Sequence, residues 1–258
     1  MAERLGRPPK FSTEELMRRL CDAGVEAILA QGLDFGLGAV RLDTAISEAE
    51  VPRRAAYSLF ASNELSRTPQ DAFRRTVLIH ILRETPLSTG LGMTRSLAVE
   101  EIARHQQAIE SGDPVQLSTA FRECIRVVAD ANFNALDGSH LWQVYRTAAN
   151  AIATQPEPDP EIIRGLRDGE ENLIAGYAEF FAQMATIFAL KIKPEFTIAE
   201  FAASTYALNE GLANRPSRTY RNVGIELPSS TGPKPWTLMA VGFEALVWQF
   251  WTADWKTD

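Results

Sequence analysis

Residues 42–60 read LDTAISEAEVPRRAAYSLF, and their spacing predicts two short helices joined by a tight turn. Leu42, Ala45, Ile46 and Ala49 recur at three- and four-residue intervals, which gives the first helix one apolar stripe to bury. Val51 marks the turn. Pro52 suits the first turn of the second helix, because an N–H at that position has no helical partner to lose. That helix is expected to run through Phe60, with Ala55, Ala56, Leu59 and Phe60 as its packing side. Small alanines let the two helices approach closely and leave Arg53, Arg54, Tyr57 and Ser58 facing outward, residue types that a helix reading a DNA major groove presents. The same periodicity also describes a plain helical hairpin in a larger bundle, with the arginines as a solvated face.

The residues around the turn carry a resemblance. Ala45, Ile46, Ala49, Glu50 and Val51, followed by Pro52, Arg53, Arg54, Ala55, Ala56, Tyr57 and Phe60, resemble the DNA-binding region of TetR-type transcriptional regulators. That pattern is Ile-Ala-x-x-Ala-Gly-Val, then Ser-Arg-Gly-Thr-Leu-Tyr and a Phe three residues on. Ala49, Val51, Arg53, Tyr57 and Phe60 match it; Ala45 and Ile46 stand in swapped order, Glu50 replaces the turn glycine, Arg54 replaces a small residue, and Asn63 stands where a phosphate-contacting lysine is common.

The resemblance implies an all-α chain with an N-terminal three-helix helix-turn-helix unit and a C-terminal helical bundle for ligand binding and dimerisation. The domains are then residues 1–67, with a basic arm, and 68–258. It implies a ligand-responsive regulator, a repressor by preference, that binds a palindromic double-stranded DNA operator as a homodimer and responds to a small-molecule effector. Arg53, Arg54, Tyr57 and Ser58 would enter the major groove, while Arg41, Asn63 and the arm residues Arg7 and Lys10 would position the DNA backbone. The arm reads equally as a free tail.

With 258 residues, 45% hydrophobic and 23% charged, the chain can bury a sizeable core. No apolar run approaches the roughly 20 residues that cross a bilayer, and MAERLGRPPKF lacks the apolar middle of a signal peptide, so a cytoplasmic protein with no membrane partner is expected. Cys21 and Cys124 are too few for a disulfide framework and read as small buried residues. The net charge of −7 is unevenly distributed: residues 1–85 hold 12 Lys and Arg against 12 Asp and Glu, and the remainder 14 against 21. Phosphate contacts act locally, within about 8–10 Å, so the acidity of the C-terminal part does not exclude a DNA-binding N-terminal part.

Along the chain, Ser12-Thr13-Glu14-Glu15 predicts a capping box, with Phe11 stapled to Leu16 and Gly32 ending the first helix. The segment LDFGLG is expected as an extra loop. After Phe60 a helix starts either at Asn63, capped by Ser62, or at Pro69, capped by Thr68 with Asp71; the second is preferred because Pro69 would break a helix already under way. It should run to about Glu84. Further helices are expected over 96–110, 114–136, 140–154, 159–192, 198–214 and 235–255, with Leu117, Phe121, Cys124, Ile125, Val128 and Ala135 as the stripe of the second.

The last two segments are too apolar for a solvent-facing pair. Phe201, Tyr206, Leu208, Leu212, Phe243, Val247, Phe250 and Trp251 are therefore assigned to a dimer interface, in preference to burial within one chain, on the strength of the resemblance. For the middle helices a small-molecule pocket is expected around Phe121, Asn132, Phe133, Trp142, Tyr145, Tyr177 and Phe181, aromatic and polar residues together. No catalytic residues, metal or cofactor are expected: His80, His105 and His140 are widely spaced, and no phosphate-binding glycine loop or GxSxG is present. The competing reading is an all-α binding bundle or enzyme whose helix pair is only structural.

Overall fold

A computed structural model describes residues 11–31, 37–61, 66, 68–88, 91–214, 225–227 and 232–255. Among them are eleven helices and four three-residue strands. The chain forms two compact units, residues 1–85 with 143–167, and residues 86–142 with 168–258. These do not divide at residue 67.

In the first unit, α1 (Thr13–Gln31) begins where Ser12 Oγ accepts from the Glu15 N–H at 3.1 Å. The expected return contact of Glu15 is replaced by ion pairs: its carboxylate takes Arg18 at 2.8 Å and Arg19 at 2.6 Å, and Arg19 lies over the Phe11 ring. α2 (Leu42–Glu48) and α3 (Arg53–Ala61) follow. α4 (Pro69–Ser88) starts at Pro69, its first turn capped by Thr68, which accepts from the Asp71 N–H at 3.1 Å. It continues a turn beyond Glu84. Leu20, Ile28, Leu42, Ala56, Phe60, Phe73 and Val77 are buried, with the rings of Phe60 and Phe73 5.3 Å apart. Gly24 is what lets α1 lie so close to α4, since a Cβ there would stand 2.7 Å from a methyl of Val77.

Gln70 on α4 fixes the start of α2. Its Oε1 accepts from the Leu42 N–H and its Nε2 donates to the Val40 carbonyl, both at 2.8 Å. One orphan donor of a helix N-terminus is thereby satisfied. The unit is completed by parts of α8 (His140–Ala153) and α9 (Pro160–Ile187), where Arg75 meets Asp159 at 2.7 Å and Glu161 at 2.5 Å.

The second unit contains α5 (Leu91–Arg104), α6 (Gln106–Ser111), α7 (Pro114–Asp137), the rest of α9, α10 (Ile198–Ala213) and α11 (Leu238–Phe250). The helix expected over 96–110 starts earlier and is broken at His105. Asp113 caps α7 by accepting from the Gln116 N–H at 2.9 Å, with Pro114 in the first turn. The expected stripe of α7 is buried from Leu117 to Val128, and Ala135 is half-buried. Thr197 and Glu200 form a full capping box on α10.

Two expected helices are shorter than their apolar patterns. α9 ends at Ile187, Ala189 takes a left-handed φ of 51°, and β1 (Leu190–Ile192) pairs antiparallel with β4 (Trp251–Ala253), Ile192 opposite Trp251. α11 ends at Phe250 because the chain turns into β4, and the Lys193 ammonium takes the carbonyls of Trp248 and Gln249 at 3.0 and 2.7 Å. Cations at a helix C-terminus satisfy such orphan carbonyls. β2 (Ile225–Leu227) and β3 (Lys234–Trp236) form a second antiparallel pair ahead of α11. The chain is thus mostly helical, with two small two-stranded ribbons among the described residues. Among the described residues, no helix is long and apolar enough to cross a membrane.

Candidate functional site

The turn between α2 and α3 has a defined geometry. Val51 N–H donates to the Ile46 carbonyl and Glu50 N–H to that of Ser47, both at 3.2 Å, which is the Schellman arrangement of a helix end. It requires a left-handed residue at the position after the cap, and Glu50 takes φ 51° there. Val51 and Ile46 are both buried beneath the turn. Glycine suits such a position because it has no Cβ to crowd the carbonyl, so Glu50 sits there with some strain.

Arg53, Arg54 and Ser58 on α3 are exposed, as is Arg41 before α2, while Tyr57 is half-buried. Arg53 and Tyr57 do not project alone. The Asp43 carboxylate on α2 takes the Arg53 guanidinium at 2.9 Å and accepts the Tyr57 hydroxyl at 2.9 Å, and Arg53 lies 5.4 Å from the centre of the Tyr57 ring. Periodicity gives no sign of this carboxylate's part. Arg7, Lys10 and Asn63 lie outside the described residues.

In the second unit, an apolar cavity of about 50 Å³ lies among α7, α9, α10, α11 and the β1–β4 ribbon. A second void of about 20 Å³ shares Val128, Phe180, Phe181 and Phe243 with it as common walls. Of the residues expected in a pocket, Phe121 and Phe181 line the larger void, and Asn132, Tyr177 and Phe181 the smaller. Phe133 is buried but lines neither. Trp142 packs edge-on against Tyr206 at 5.9 Å, and Tyr145 is buried in the first unit. These three are therefore not part of the cavity.

The expected dimer residues are largely accounted for within the chain. Phe201, Phe243, Val247, Phe250 and Trp251 are buried, and four of them, all but Phe250, line the larger cavity. Within the second unit Phe201 and Phe243 pack against Phe181 of α9, Phe250 against Phe196, and Trp251 against Phe201. Tyr206, Leu208 and Leu212 are half-buried. Leu208 sits over Gly242, where an added Cβ would come within 3.0 Å of it.

A buried polar cluster borders the smaller void. The Asn132 amide donates to Thr94 Oγ1 at 2.8 Å and to the Tyr177 hydroxyl at 2.6 Å, and its carbonyl oxygen accepts from the Asn209 amide. Burial pushes the Tyr177 hydroxyl up to about 12, against the pull of the Asn132 donor. Two oxygens here, Thr205 Oγ1 and Asn209 Oδ1, are buried with no hydrogen-bond partner among the described residues. Thr94, Thr205 and Asn209 escaped sequence reasoning, since nothing in their spacing links α5 to α10. Burial also pushes the thiols of Cys21 and Cys124 up to about 12, which makes both poor nucleophiles. Among the described residues, no group of three or more His, Cys, Asp or Glu is placed to hold a metal ion.

No family model matches the chain, and no curated protein matches it. Among solved structures it is similar to a protein of unknown function from Rhodococcus sp. RHA1, 17% identical over 80% of this chain and 84% of that one, with a TM-score of 0.36. So distant a likeness carries no functional argument.

Proposed function

We propose that this chain is a TetR-like transcriptional regulator that binds duplex DNA through α3 and a small-molecule effector in the second unit. The observation that carries the reading is the α2–α3 turn, whose left-handed Glu50 stands where the resembled pattern has glycine and which leaves Arg53, Arg54 and Ser58 exposed on one short helix. The apolar cavity with a polar border supplies a place for the effector. A homodimer belongs to the same proposal, through surfaces other than the five buried aromatic and aliphatic residues of α10, α11 and β4. Effector binding then favours a state whose two α3 helices no longer match half-sites about 34–36 Å apart.

A second reading, a ligand-binding bundle whose helix pair is structural, is favoured by Asp43, which already engages Arg53 and Tyr57. Salt separates the two. A DNA binder loses affinity for mixed-sequence duplex linearly in log–log coordinates as salt rises, and replacing both Arg53 and Arg54 by Ala should lower that slope by about 2. A folded protein with no duplex affinity at low salt contradicts the proposed function and leaves the second reading.

A further inference from the structure

We infer that the cavity of the second unit takes an uncharged, elongated apolar molecule with a hydroxyl, carbonyl or amide at one end. The inference rests on the effector reading of the same cavity and names the chemistry of the ligand. The larger void is walled by aromatic and aliphatic side chains with the buried thiol of Cys124, and among the described residues no charged side chain lines either void. An ionised ligand would leave its hydration shell and meet no countercharge from these walls, which is strongly unfavourable in such surroundings. A wholly apolar ligand would leave the other end unanswered. There Thr205, 7% exposed, lines the smaller void with its hydroxyl unpartnered, one helical turn from Asn209, 2% exposed, whose carbonyl oxygen is also unpartnered. Buried polar groups are ordinarily satisfied, so the unmet Thr205 hydroxyl on the wall of the smaller void, with the Asn209 carbonyl one turn along the same helix, points to a group that completes it.

Shape follows from the common walls. Val128, Phe180, Phe181 and Phe243 separate the two voids, so one molecule reaching from the apolar end to Thr205 has to pass between them. At about 50 and about 20 Å³ the voids are smaller than the engineered cavity of about 150 Å³ that holds benzene, so the ligand widens the chamber as it enters. Flexible Met184 on the wall suits such adjustment.

The test is titration of the full chain, without DNA, with 1-alkanols of four to ten carbons, followed by intrinsic tryptophan fluorescence and by thermal midpoint. Octanoate and octylammonium serve as charged counterparts. The expected result is an affinity rising about fourfold per added methylene, as about 0.8 kcal/mol each gives, until the chamber is filled, with the charged counterparts at least tenfold weaker. Thr205→Val, which keeps the shape and removes the hydroxyl, should erase the preference for octanol over 1-chlorooctane. Val128→Trp, shown to be folded by circular dichroism, should abolish binding by blocking the passage. Equal binding of octanoate, or no alkanol binding at all, overturns the inference. Because the readout involves no DNA, it fails or succeeds separately from the proposed function.

Discussion

The Tyr57 hydroxyl on α3 donates to the Asp43 carboxylate on α2 at 2.9 Å. Because the same carboxylate also holds Arg53 at 2.9 Å, two of the residues proposed to meet DNA are tied back to the preceding helix. A phosphate approaching this face competes with Asp43 for the same donors, and the carboxylate's own charge opposes it.

Replacing Asp43 by Asn is therefore expected to strengthen duplex binding, by about three- to tenfold at low salt, and to steepen its salt dependence. Folding should change by less than about 1 kcal/mol, since both partners of the ion pair are more than half exposed. Fluorescence anisotropy with a mixed-sequence duplex checks this. Unchanged or weaker binding would show that Asp43 positions Arg53 and Tyr57 rather than restrains them.

Glu50 holds φ 51° at the end of α2. Glycine removes the steric cost of about 1–2 kcal/mol but frees the unfolded chain, so Glu50→Gly should raise stability by about 0.5–1 kcal/mol. Glu50→Val, with a branched Cβ in the same conformation, should lower it by about 1 kcal/mol or more. Urea midpoints of the two variants moving in the same direction would contradict the assigned turn.

Arg75 holds the Asp159 carboxyl down to about 2, chiefly through its paired hydrogen bonds at 2.7 and 2.8 Å. A lowered carboxyl stabilises the fold above its ordinary value near 3.8 and loses that contribution as pH falls toward 2. Solvent reaches Asp159, which is 30% exposed, so the contribution is about 1 kcal/mol. Asp159→Asn should be less stable than the parent at neutral pH, and the difference should shrink from about pH 4 to about pH 2 when followed by chemical denaturation. A constant difference across that window would refute the pairing.

Asn132 joins Thr94, Tyr177 and Asn209 from three other helices. Asn132→Ala strands several buried groups at once and should cost about 2–4 kcal/mol, whereas Tyr177→Phe removes one partner and should cost about 1–2 kcal/mol. Differential scanning calorimetry of the two variants distinguishes these losses. Equal, small effects would mean the cluster contributes little.

The helix starts of this fold were legible because their signals are local. Ser12, and Thr68 with Pro69, cap the helices that follow, α7 starts at Pro114, and the stripe from Leu117 to Val128 is buried as its spacing requires. The ribbons were not legible: three residues are too few to display a period of two, and Ile192 and Trp251, which pair, lie two helices apart in the sequence. Periodicity measures how much apolar surface Phe201, Phe243 and Val247 carry, but not what covers it, and here other parts of the same chain cover it. The cavity was legible only in part. Phe121, Asn132, Tyr177 and Phe181 stood out by residue type, while Thr205 and Asn209 gain meaning only from their lack of partners in the folded chain.

Retention of random duplex DNA by the purified protein at moderate salt, followed by sequencing of what is held, shows whether α3 reads an operator. The expected result is enrichment of a palindrome whose half-sites lie about one helical turn or a multiple of it apart, and loss of that enrichment with Arg53→Ala. A folded protein that retains no sequence above background would contradict a regulator acting through α3.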